Sequence, residues 1–69
     1  MDHPYMIERQ DERGRVERAR TRYLGDAMAF VRAVIQLEVN QCFWRIRNEE
    51  TNRLCARFRY EAGKVTHEV

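Results

Sequence analysis

Residues 41–64 read QCFWRIRNEETNRLCARFRYEAGK, and the alternation inside this stretch decides the fold. Cys42, Trp44 and Ile46 point one way, and Phe43, Arg45 and Arg47 the other. Leu54, Ala56, Phe58 and Tyr60 repeat the apolar phase, with Arg53, Cys55, Arg57 and Arg59 opposite. A period of two marks half-buried strands. Between the runs, Asn48-Glu49-Glu50-Thr51-Asn52 is a polar segment rich in turn formers. The reading is two strands joined by a hairpin.

A one-residue slip in pairing would flip a whole face, so register can be tested by arithmetic. Pairing residues whose numbers sum to 100 sets Ile46 against Leu54, Trp44 against Ala56 and Cys42 against Phe58, so every inward pair is apolar. The chain continues through Glu61-Ala62-Gly63-Lys64, where Gly63 supplies the positive φ that a tight hairpin needs. A sum of 125 then sets Tyr60 against Val65, Phe58 against His67 and Ala56 against Val69. The same register brings Arg57 to Glu68 and Glu61 to Lys64. The C-terminal third therefore reads as a three-stranded antiparallel meander.

Upstream, residues 22–39 form a helix, with Thr21 or Asp26 as candidates for its N-terminus. Residues 5–21 allow two readings. Tyr5-Met6-Ile7-Glu8-Arg9 and Val16 to Thr21 would pair about Asp11-Glu12-Arg13-Gly14, with Ile7 against Ala19 and Glu8 against Arg18. Alternatively one helix runs from about Asp11 to Asn40, since Val16, Ala19, Tyr23, Ala27, Phe30, Val34 and Leu37 fall at spacings of three and four. Gly14 and Gly25 would each cost that helix about 1 kcal/mol relative to Ala, which favours the hairpin. The expected fold class is α+β, a single domain over 1–69 with residues 1–4 frayed. Its order is β-hairpin, helix, three-stranded meander (ββαβββ).

Composition bounds the function. Sixty-nine residues leave no room for a second domain. A hydrophobic fraction of 43% is too high for a disordered polyelectrolyte, and a charged fraction of 35% too high for a membrane-buried chain. Met1 to Arg22 carries six Arg and five acidic residues with no apolar run of the signal-peptide kind. The apolar stretch from Ala27 to Val39 is interrupted by Arg32, Gln36 and Glu38, and is too short to span a bilayer. Cys42 and Cys55 do not make a disulfide framework, so a cytoplasmic protein with reduced thiols is expected.

Catalytic patterns are absent: there is no phosphate-cradling glycine loop, paired-histidine metal spacing or nucleophile elbow. A non-enzymatic protein with no cofactor and no metal is the expectation. His67 reads as a partly buried sheet residue beside Phe58. Cys55, with Arg53 and Arg57 two positions away and Arg45 opposite, is either a small sheet residue or an activated thiol.

Two surfaces remain as contact candidates. The outer face of the meander carries Phe43, Arg45, Arg47, Arg53, Arg57 and Arg59, and residues 41–60 hold a net charge of +3. Arginine suits bidentate contact with carboxylate or phosphate, so an anionic partner, either nucleic acid or an acidic protein, is one reading. Neutralisation by Glu8, Glu17 and Glu68 from neighbouring strands is the other. Only Phe43 is placed to stack on a base, which is thin for a single-strand reader. The second surface is the helix, whose apolar residues cover most of its circumference. Val31, Ile35 and Met28 are its candidate interface, either with a second copy of the chain or with another protein.

Taken together, Tyr5-Met6-Ile7, the 22–39 helix and the 41–64 meander resemble, in layout, some small phage-encoded anti-CRISPR proteins. The resemblance covers most of the chain and includes no diagnostic motif. It implies a non-enzymatic inhibitor that docks on a protein subunit of a nucleic-acid-guided complex. The family shares no common catalytic residues, so none is carried over. The Arg-rich face departs from the acidic nucleic-acid mimics within it. Three functions follow as expectations: a protein-binding module, such as a phage or mobile-element accessory protein inhibiting a host complex; a small nucleic-acid-binding protein using the Arg face; or a homodimeric subunit.

Overall fold

In the computed structural model, which describes residues 2–68, Asp11 decides the N-terminal question in favour of the hairpin. Its Oδ1 accepts hydrogen bonds from the backbone N–H groups of Arg13 and Arg15, both at 2.9 Å, and Gly14 takes φ +84°. A short acidic side chain that satisfies the backbone locally competes with helix formation. Strand β1 (Tyr5–Asp11) thus returns as β2 (Val16–Thr21), with Ile7 opposite Ala19 and Glu8 opposite Arg18, as expected.

Helix α1 covers Leu24–Val34 and runs on as a 3₁₀ turn over Ile35–Leu37. It is shorter than the 22–39 span read from the sequence. At its start Thr21 bonds the Tyr23 carbonyl instead of capping, and Asp26 lies in the first turn. At its end Glu38 is extended, with φ −68° and ψ 149°, because its carboxylate is engaged elsewhere.

The meander follows as β3 (Cys42–Asn48), β4 (Arg53–Glu61) and β5 (Lys64–His67). All five strands form one antiparallel sheet in the order β2-β1-β3-β4-β5. The β4–β5 register is the expected one: Tyr60 faces Val65, Phe58 faces His67 and Glu61 faces Lys64. Ala62 and Gly63 both take positive φ, 52° and 78°, the geometry of the tight hairpin turn that matches strand twist. Val69, expected opposite Ala56, lies outside the described residues.

The β3–β4 register differs from the expected one by two residues. Trp44 faces Phe58, Ile46 faces Ala56 and Cys42 faces Tyr60. Two causes contribute one residue each. Asn48 Oδ1 caps the turn by accepting from the N–H groups of Glu50 and Thr51, and Asn52 takes φ 58°, so the loop closes at Asn48–Arg53. A bulge at Cys55 then adds an extra residue to β4. Two single-residue shifts restore the original phase beyond the bulge, so Ala56 and Phe58 still face inward.

Helix α1 packs on the inner face of β1, β2 and β3. The core is Ile7, Ala27, Val31, Ile35, Cys42, Trp44, Ile46, Ala56 and Phe58, all buried. Among the described residues no element forms a layer over the opposite face of the sheet.

Candidate functional site

The bulge rearranges the expected arginine face. Phe43, Arg45, Arg47, Arg57 and Arg59 share the outer phase, but Arg53 does not: it pairs with Asn48, one phase away from Arg47. Leu54 takes the position opposite Arg47. Arg45 faces Arg57 rather than Cys55, and Cys55 packs against the core, so the expected ring of arginines around this thiol is not formed. Strands β1 and β2 extend the face with Arg18 and Arg20, whose positions relative to Arg45 and Arg47 depend on the sheet order.

Carboxylates accompany most of these cations. Glu8 stands between Arg18 and Arg45, at 2.9 and 2.8 Å. Arg20 meets Glu49 at 3.0 Å, Arg57 meets Glu68 at 3.4 Å and Arg59 meets Glu61 at 3.8 Å. Arg45 also donates to Gln10 Oε1 at 2.9 Å, and the Arg57 guanidinium lies 5.5 Å from the centre of the Phe43 ring. Glu8 and Glu68 therefore act as expected, whereas Glu17 sits beside Arg15. Arg47, flanked by Met6 and Leu54, is the one outer-face arginine without an ion pair among the described residues. Exposed pairs of this kind contribute about 0–1 kcal/mol each to stability, so their main consequence is a face of mixed sign.

The expected helix interface moves. Val31 and Ile35 are buried in the core, and Met28 packs against it, so none of the three forms an open contact face. The apolar surplus is instead on the flank. Tyr23 at the N-cap, Phe30 within the helix and Leu37 in the 3₁₀ turn are spaced seven residues apart. They are 60%, 44% and 79% exposed, and Val39 just beyond is 84% exposed. Phe30 is anchored edge-on against Trp44, with ring centroids 6.1 Å apart. This three-member ladder was present in the helical spacings, but its exposure depends on how the helix rolls onto the sheet.

Below that flank lies a cluster that the sequence did not disclose. Arg9 follows Tyr5 and Ile7 on the inward phase of β1, where an arginine needs an acid. The acid is Glu38, which takes a two-pronged contact from the Arg9 Nε and Nη2 at 2.5 and 2.8 Å. Glu38 Oε2 also accepts from the Trp44 indole N–H at 2.9 Å and from the Cys42 thiol at 3.1 Å. The Arg9 hydrogen bonds hold the Glu38 carboxyl below the usual carboxylate range. Burial, reinforced by the adjacent carboxylate, pushes the Cys42 thiol up to about 12. Cys42 is therefore a protonated donor, unsuited to nucleophilic work at neutral pH.

His67 stands beside Phe58 as expected, with ring centroids 4.4 Å apart, but on the edge strand β5 it is exposed rather than partly buried. Among the described residues no three His, Cys, Asp or Glu side chains converge as a metal site. No helix among them is long and apolar enough to cross a membrane. Comparison with family models, curated proteins and solved structures finds no match to this chain.

Proposed function

We propose that the protein is a non-enzymatic protein-binding module acting in the cytoplasm, and that its contact surface is the apolar flank Tyr23–Phe30–Leu37 with Val39. The observation that carries this reading is the exposure of Leu37 and Val39, 79% and 84%, beside a helix whose Ala27, Val31 and Ile35 are buried in the core. Exposed apolar ladders on small domains mark places where another protein docks. The resemblance in layout to small phage-encoded anti-CRISPR proteins, read from the sequence, suggests the specific form of the proposal: a phage or mobile-element inhibitor of a host complex, with a protein subunit of that complex as partner.

Nucleic-acid binding by the outer face is the second reading, favoured by Arg47 and by the excess of arginines over carboxylates there. The pairing of Arg18, Arg20, Arg45, Arg57 and Arg59 with acids weighs against it, because a phosphate must displace a carboxylate already in place.

Affinity purification of a tagged chain from its host distinguishes the two readings. A stoichiometric protein partner should be retained after nuclease treatment and by Arg47→Ala, and lost with Tyr23→Ser plus Leu37→Ser. A partner released by nuclease, or indifferent to the flank substitutions, would overturn the proposal.

A further inference from the structure

The sheet has two open edges, and they differ in what they can pair with. At the first hairpin the Asp11 N–H bonds the Arg15 carbonyl, so by alternation Val16, Arg18 and Arg20 direct their backbone groups outward from β2. At the other edge the Glu68 N–H bonds the Arg57 carbonyl, which leaves Val65 and His67 with outward-facing backbone groups on β5. Unpaired groups of this kind are a template for another strand.

A second copy approaching β2 antiparallel meets like charge in each neighbouring register. Centring on Arg18 puts it against its own symmetry mate, centring one residue earlier does the same to Glu17, and centring one residue later sets Arg18 against Arg20. Such pairs are destabilising. Edge β2 is thus guarded against its own kind.

Edge β5 has the opposite character. Centring a two-fold axis on Thr66 sets Val65 against His67 of the second copy, and these are the residues whose backbone groups face outward. The same register places Lys64 beside the second copy's Glu68 on the outer face, twice by symmetry. Shifting the axis one residue either way loses both charge pairs and instead opposes Val65 to Val65 or His67 to His67. On the inner face Val65 is 42% exposed, and it lines a shallow hollow with Phe58 and His67, bordered on the helix side by Arg32, Ile35 and Gln36.

We propose that β5 is a homodimerisation edge, joining two chains through Lys64–Glu68 into one continuous ten-stranded antiparallel sheet with both helices on the same side. This edge lies across the sheet from the Phe30 flank, so dimerisation and the partner contact proposed above do not compete, and either can fail without the other.

Sedimentation equilibrium tests the dimer. The chain should dimerise reversibly at high micromolar concentration. Val65→Pro removes an outward N–H that the fold itself does not use, and proline is tolerated on such an edge. This variant should keep its circular dichroism spectrum and sediment as a monomer. Lys64→Glu alone and Glu68→Lys alone each create like-charge contacts and should be monomeric, while their equimolar mixture should associate about tenfold more tightly than either alone. A wild-type monomer at millimolar concentration, dimerisation undiminished in Val65→Pro, or a mixture no tighter than its components would each overturn the proposal. Loss of the dimer with Leu37→Ser but not with Val65→Pro would assign dimerisation to the helix flank instead.

Discussion

Glu38→Ala is expected to lower the unfolding free energy by about 2–4 kcal/mol, the range for removing one partner of a largely buried charge pair. The loss has three parts. The Arg9 guanidinium, with only 19% of its side chain exposed, keeps its charge without a counter-ion. The Trp44 indole N–H and the Cys42 thiol lose their acceptor. A domain of this length has roughly 3–10 kcal/mol in hand, so a substitution at one residue near the helix end would remove a large share of it. Glu38→Gln should cost less, because the amide oxygen still accepts from Trp44. Arg9→Met combined with Glu38→Met should recover much of the loss, because neither charge is then stranded. Urea denaturation of the four proteins checks the order.

The same cluster sets a pH window. Glu38 has a depressed pKa in the folded state, so its contribution is present above the unfolded carboxylate value of about 4.3 and is lost as pH falls through the lower folded value. Cys42 runs the other way: with its folded value raised from 9.0 to about 12, its contribution is complete below pH 9 and disappears as pH rises toward 12. Stability should therefore decline on both flanks, with Cys42→Ala flattening the alkaline limb and Glu38→Gln the acid one.

Val31→Glu is expected to abolish folding, whereas Leu37→Glu should leave stability within about 0.5 kcal/mol of the parent. Val31 has no exposed surface, and a carboxylate placed there either stays charged in an apolar core or takes up a proton to avoid it, at a cost of about 4 kcal/mol or more. Leu37 is open to water on the helix flank. If Val31 and Ile35 formed an exposed interface, as the helix pattern alone allowed, Val31→Glu would instead yield a folded chain that fails to bind. Thermal melts followed by circular dichroism separate these outcomes directly.

The elements that were legible in the sequence are those whose geometry is local. The β4–β5 register follows from a two-residue turn at Ala62-Gly63, and the β1–β2 register from complementary side chains across Asp11–Gly14. The β3–β4 register was not legible because the turn side chain of Asn48 and the bulge at Cys55 each add a residue, and neither has a sequence signature of its own. Their effects cancel in phase, which is why Trp44, Ile46, Ala56 and Phe58 were still placed correctly on the core side. Between the two shifts they do not cancel, which is where Arg53, Leu54 and Cys55 changed roles. Glu38 was unreadable for a different reason: its partner Arg9 lies 29 residues away, and only the docking of the helix end over β1 brings them together. The helix, apolar on most sides, offered several possible rolls. The sheet selects the one that buries Ala27, Val31 and Ile35 and leaves Leu37 outside.

Whether the outer arginines serve the protein's own carboxylates or an external polyanion is the point on which the proposed function turns, and a fluorescence-anisotropy titration with labelled mixed-sequence DNA and RNA across a range of salt measures it. With five of these arginines already paired to Glu8, Glu49, Glu61 and Glu68, no saturable binding is expected at physiological ionic strength. Saturable binding whose affinity falls steeply with salt, and which Arg45→Ala plus Arg57→Ala weakens, would contradict the account and identify the sheet face as a nucleic-acid surface.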